Sequence, residues 1–136
     1  MRSAIYAVFV LTLGLALAGC KSEAEKQMSD AMDKQKEMVN VLKGITDKES
    51  AKAANVKLKG IANDMSAMFD KMKNVRASQG EQNRVVEKFK PDQEQLQKDM
   101  EAETKRISAH PEWVMEMMEG LQEIGKAGMK AQMMAR

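Results

Sequence analysis

Aromatic side chains are scarce in this chain: three phenylalanines, one tyrosine and one tryptophan in 136 residues. β-Branched residues are also few, and no stretch alternates apolar and polar residues as a half-buried strand does. Cysteine and histidine occur once each. A lone cysteine cannot close an internal disulfide, and one histidine without a second thiol leaves the usual zinc ligand sets unavailable. Only two prolines and eight glycines are present, so helices have few obligatory stops. An excess of one charge is missing too: 22 Lys and Arg stand against 20 Asp and Glu, interspersed along the chain. A nucleic-acid partner calls for a clustered basic face, and none is expected here.

The chain also lacks a glycine-rich phosphate loop, a nucleophile elbow and a helix-borne HExxH. Its carboxylates sit beside lysines at helical spacing, as in Asp30 with Lys34 and Glu101 with Lys105. Such pairs support a solvated helix face by about 0.2–0.5 kcal/mol each. His110 adjoins Pro111 at a helix start and has only Glu112 as a nearby carboxylate. No catalytic activity, cofactor or metal site is expected from these residues.

What the chain does have begins at its start. Arg2 precedes a twelve-residue apolar run, residues 4–15, reading AIYAVFVLTLGL. Even extended to Ala18 it falls short of the roughly 20 residues of a membrane span, and it matches the apolar region of a secretory signal. Leu17, Ala18 and Gly19 then precede Cys20, the only cysteine, and a charged stretch follows.

This L-A-G-C segment resembles the lipobox of bacterial lipoproteins without departure. The resemblance implies that Cys20 is joined to diacylglycerol, that the chain is cut between Gly19 and Cys20, and that the new amino group is acylated. Residues 1–19 are then a cleaved signal peptide and membrane lipid is a partner through Cys20. One acyl chain binds a membrane marginally and two or more bind stably, at about 0.8 kcal/mol per buried CH2. Among Gram-negative members an aspartate after the cysteine commonly means retention in the inner membrane. Lys21 stands there, so an outer-membrane location is expected where the cell has one.

Removing residues 1–19 leaves 117 residues and a net charge of +1, enough for one small domain. Alanine, lysine, glutamate, glutamine and methionine dominate it, a composition that favours helix throughout. Helices are predicted over residues 22–43, 48–76, 81–109 with a break at Pro91, and 112–130. The first carries a seam of Ala24, Met28, Ala31, Gln35, Met38, Leu42 and Ile45 at alternating spacings of four and three. Gln35 is its one polar member. The second carries Ala51, Ala54, Leu58, Ile61, Met65, Met68, Met72 and Val75 in the same rhythm. Thr46 with Glu49 fits a capping box at its start, with Asp47 as the alternative cap.

The third helix has a narrow apolar face through Val85, Val86, Phe89, Leu96, Met100 and Ile107, which suits a peripheral position. Pro111 suits the first position of the fourth, which carries Trp113, Val114, Met117, Met118, Leu121 and Ile124. The expected fold is all-α: an elongated antiparallel helical hairpin extended to a three- or four-helix bundle, with antiparallel neighbours wherever turns are short.

Thirteen of the 14 methionines follow Cys20. Met65, Met68 and Met72 share a helix face, Met115, Met117 and Met118 form a second cluster, and Met133 with Met134 a third. Thioethers are soft ligands suited to Cu(I), so a methionine-based copper lipoprotein is an alternative reading. Methionine also fills irregular helical cores, and the first cluster occupies seam positions where core residues belong. The leading expectation is a membrane-anchored envelope lipoprotein with a structural or protein-interaction role, its partner an envelope protein or a second copy of itself. Trp113 with Met117 and Met118 is read as core, with a partner-helix anchor as the alternative. Three residues separate Cys20 from Ala24, so the bundle should sit close to its membrane.

Overall fold

The computed structural model describes residues 21–72 and 78–134. Residues 1–20 lie outside the described residues, and with them the expected signal segment, its cleavage point at Gly19 and Cys20. Five helices follow in order: α1 Lys21–Lys43, α2 Lys48–Met72, α3 Gln79–Ser108, α4 Pro111–Glu116 and α5 Met118–Met134. No strand occurs among the described residues. The all-α bundle expected from periodicity is the fold observed.

The seams lie where their spacing places them. Every seam residue of α1 from Ala24 to Ile45 is buried, Gln35 included. On α2, Ala51, Ala54, Leu58, Ile61 and Met65 are buried and Met68 packs against them. Burying one large apolar side chain contributes about 1.5–3 kcal/mol, which no helix of this length could obtain alone. The side chain of Met72 and all of Val75 fall outside the described residues. Ala62 and Phe69 widen the buried face of α2 beyond its seam.

Cross-links between helices define the topology. Lys34 Nζ bonds Asp64 Oδ2 at 2.7 Å, tying α1 antiparallel to α2 about the turn at residues 44–47. α3 is seated chiefly on α1 and α5 chiefly on α2. Lys88 reaches Glu25 at 2.8 Å, Lys43 reaches Asp99 at 2.7 Å, and Arg106 reaches the carbonyl of Ile45. Residue numbers rise together along both helices, so α1 and α3 are parallel. The same holds for α2 and α5, where Asn55 meets Gly120 and Asp70 meets Lys130. Consecutive long helices do alternate in direction, but the packing partners of α3 and α5 are parallel to them, which short-turn reasoning does not anticipate. One end of the bundle therefore gathers the start of α1, the end of α2, the start of α3 and the end of α5. The other end holds the α1–α2 turn and α4.

Three local expectations are corrected. The break at Pro91 is absent, and α3 runs through the proline. A mid-helix proline costs about 3 kcal/mol. Pro91 is exposed, while Val85, Leu96, Met100 and Ile107 on either side of it are buried. That burial on one face outweighs the lost bond. The fourth predicted helix is instead two: it stops at Glu116, and Met117 adopts φ −98° and ψ 0° before α5 begins. The backbone N–H of Met117 still donates to Trp113 and Val114. Its side chain is wholly buried, so the offset turns a core residue inward.

The cap of α2 is Asp47 rather than Thr46, because the helix begins at Lys48. Ser50 donates its backbone N–H to Asp47 Oδ1 at 2.7 Å, and its hydroxyl accepts from the N–H groups of Thr46 and Asp47 at 3.0 Å. This is a reciprocal capping box with serine in the third helical position.

Candidate interaction surfaces

The end of the bundle that holds the α1–α2 turn and α4 is fastened by one arginine. Arg106, near the end of α3, donates from Nη1 to the carbonyl of Ile45 at 2.6 Å and from Nη2 to that of Leu42 at 2.8 Å. Leu42 lies in the last turn of α1, where helices leave acceptors short of partners, and Ile45 in the turn that follows; the Leu42 carbonyl also accepts from the Ile45 N–H at 3.1 Å. Glu103 holds the guanidinium from the side, and the indole of Trp113 lies 5.8 Å from it. His110 stacks on the same indole at 3.8 Å between centroids. Its Nδ1 is 3.2 Å from Glu112. Trp113 is partly buried against the core, as expected of it, and its contact with Arg106 joins α4 to α3.

Polar groups pin α2 to α5. The backbone N–H of Gly120 donates to Asn55 Oδ1 at 2.6 Å. Lys59 bonds Glu119, and Lys130 bonds Asp70 at 2.6 Å and the hydroxyl of Ser66 at 2.9 Å. A shallow groove of about 170 Å³ runs beside these contacts, lined by Asn63, Ser66, Glu123, Lys126 and Lys130 among others. Lys126 pairs with Glu123 at 2.6 Å. All four charged residues of α5 thus lie on the side facing α2.

Ion pairing tunes several exposed groups. The Lys59 ammonium beside Glu119 lowers that carboxyl's pKa, and Lys43 does the same to Asp99. The Ser50 backbone N–H lowers that of Asp47. Asp64 and then Glu37 raise the pKa of Lys34.

The methionine clusters are not gathered into one site. Met65 is buried and Met68 packs on the same core, whereas the Met72 side chain lies outside the described residues. In the second cluster Met117 is buried, while Met115 is 70% exposed and Met118 lies at the surface. Met133 is 77% exposed, and the side chain of Met134 lies outside the described residues. Among the described residues no three His, Cys, Asp or Glu side chains converge as metal ligands.

Arg106, Asn55 and Gly120 were not singled out by periodicity, because a polar joint leaves no apolar rhythm. Met129, 58% exposed on α5, was also missed. Its spacing from Met118, Gln122 and Gly125 was the signal that could have found it. No protein-family model, curated protein or solved structure matches the chain.

Proposed function

We propose that this chain is a lipid-anchored lipoprotein of the bacterial cell envelope, a helical bundle with a structural or protein-interaction role and no catalytic activity. The observation that carries this reading is the L-A-G-C segment, residues 17–20, placing the only cysteine after a secretory-type apolar run. Among the described residues no helix is long and apolar enough to cross a membrane, so attachment in this reading goes through the acyl chains on Cys20. Helix α1 is described from Lys21, which supports a short tether. The surfaces described above are salt-bridged helix faces and shallow grooves, and these favour a role in contact rather than in turnover.

The test is metabolic labelling with a palmitate analogue, followed by mass spectrometry of the N-terminal peptide. The wild-type chain is expected to take up label, to lose residues 1–19 and to partition into detergent. Cys20→Ala is expected to do none of these. An unlabelled wild-type chain with a free Cys20 thiol would overturn the anchor. In-cell crosslinking then asks which envelope protein, or which second copy, is beside it.

A further inference from the structure

Helix α5 carries two heptad series one residue out of step. The inner series, Met117, Leu121, Ile124, Gly128 and Ala131, is buried or packed on the core. The outer series is Met118, Gln122, Gly125 and Met129, with Met133 one turn further. Its side chains at 118, 122, 129 and 133 are exposed. Spacings of four and three are the seam of a helix that meets another helix. In a chain whose residues are 31% charged, this strip from Met118 to Met129 holds no charge along its centre, and Met133 continues the line of Glu119 and Lys126 that flanks it. Glu119, Glu123, Lys126 and Lys130 all border α2 instead.

We propose that this face binds a second copy of the chain, with the two α5 helices side by side, parallel and in register. The parallel sense rests on the lipoprotein reading: anchors at one end of the bundle make two copies in one membrane point the same way. A two-fold contact then sets each residue opposite its own counterpart. Any charge on such a seam would face an identical charge, and the strip has none. Gly125, at its middle, has no side chain to hold the two backbones apart. Methionine suits an adaptable contact of this kind.

A lipid surface fits the same face less well. Membrane-surface helices flank their apolar stripe with lysine and arginine, whereas the flank here carries Glu119 and Glu123 beside Lys126 and Lys130. A single-helix contact buries less than the roughly 1,200 Å² of a stable free dimer. Tethering both copies in one membrane supplies the effective concentration that makes a weak contact count.

Thiol crosslinking in membranes of cells making the full chain tests this. Gln122→Cys and Met129→Cys are expected to give a covalent dimer with a short bifunctional maleimide. Lys57→Cys, on an exposed position of α2, is expected to give no more than wild type. Adding Met129→Glu to Gln122→Cys is expected to lower the dimer yield about tenfold, with helical circular dichroism unchanged because Met129 is a surface residue. Equal yields at positions 122, 129 and 57 would overturn the proposal, as would an adduct of another mass in place of the dimer. The state of Cys20 is read from the same material. A dimer specific to 122 and 129 on an unmodified Cys20 would retain the contact and remove the anchor.

Discussion

Gly120 and Asn55 bring α5 and α2 closer than any side chain would allow. The Gly120 N–H donates to the Asn55 side-chain oxygen at 2.6 Å, and a Cβ placed on Gly120 would lie 2.8 Å from the Asn55 carbonyl oxygen and 2.9 Å from Leu58 Cβ. Two of these three atoms belong to stiff parts of α2, so the helices would have to separate. Gly120→Ala is expected to destabilise the fold by about 1–3 kcal/mol, although alanine is the better helix former. Gly60 is the control. It is exposed in mid-helix with nothing within 4 Å of the same added atom, and Gly60→Ala is expected to stabilise by about 1 kcal/mol. Urea unfolding of both variants checks the pair, and a shift of the same sign in each would refute the close-approach argument.

Arg106 ties α3 to the last turn of α1 and to the turn after it by donating to two carbonyls at once. Its planar fork suits that task, and a lysine ammonium is a single point donor. Arg106→Lys is expected to recover only part of the stability lost in Arg106→Ala, which should be about 1–3 kcal/mol. Thermal unfolding measures both losses. Equal stability of all three chains would mean that the carbonyls are satisfied without the guanidinium.

Gln35 is 1% exposed in the middle of the α1 seam, and its Nε2 has no hydrogen-bond partner among the described residues. Burying an unpaired amide costs about 1–3 kcal/mol. Gln35→Leu is expected to raise stability by about 1 kcal/mol, read as a higher urea midpoint at unchanged slope. A polar residue in a seam can also fix helix register at the expense of stability. Loss of a single set of sharp amide resonances in Gln35→Leu would assign it that role.

Asp47, Asp99 and Glu119 have pKa values lowered by Ser50, Lys43 and Lys59 respectively. A carboxyl whose pKa is lower folded than unfolded favours the fold above its ordinary value. That contribution is lost as pH falls from the unfolded toward the folded pKa. Stability is therefore expected to decline below about pH 4. Lys34, with its pKa raised by Asp64 and Glu37, acts in the opposite sense: its contribution is full below its ordinary pKa and fades above about pH 10.4. Asp47→Asn should flatten the acid limb of a stability profile measured by urea unfolding, and an unaltered limb would count against the cap.

The seams were the legible part of the sequence. Ala24 through Ile45 and Ala51 through Met65 repeat at spacings of four and three because one helix face must meet another. Their burial follows from that rhythm. The break predicted at Pro91 is absent because the local cost of a missing N–H is outweighed by packing on both sides of it, which no local rule contains. At Met117 the opposite holds: apolar spacing runs on through a backbone offset that it does not report. Which helix lies beside which was not legible. The seating of α3 on α1 includes Arg106 reaching Ile45 and Lys88 reaching Glu25, and that of α5 on α2 includes Asn55 reaching Gly120 and Lys130 reaching Asp70. The Arg106–Ile45 and Asn55–Gly120 contacts join residues 61 and 65 positions apart, a distance no local periodicity spans.

The parallel pairings have a kinetic consequence. The α1–α2 hairpin closes through a turn of a few residues, whereas the joints at Glu25 with Lys88 and at Asn55 with Gly120 span 63 and 65 residues. Closing long loops slows folding, since their entropy is lost before the contacts form. The hairpin is expected to gain amide protection first and α5 last in pulse-labelled hydrogen exchange, and earlier protection of α5 would refute that order. As the chain is made, its N-terminal half emerges with its own partner already beside it. The later helices arrive onto a template, so the outer strip of α5 is the last surface of the chain to be presented.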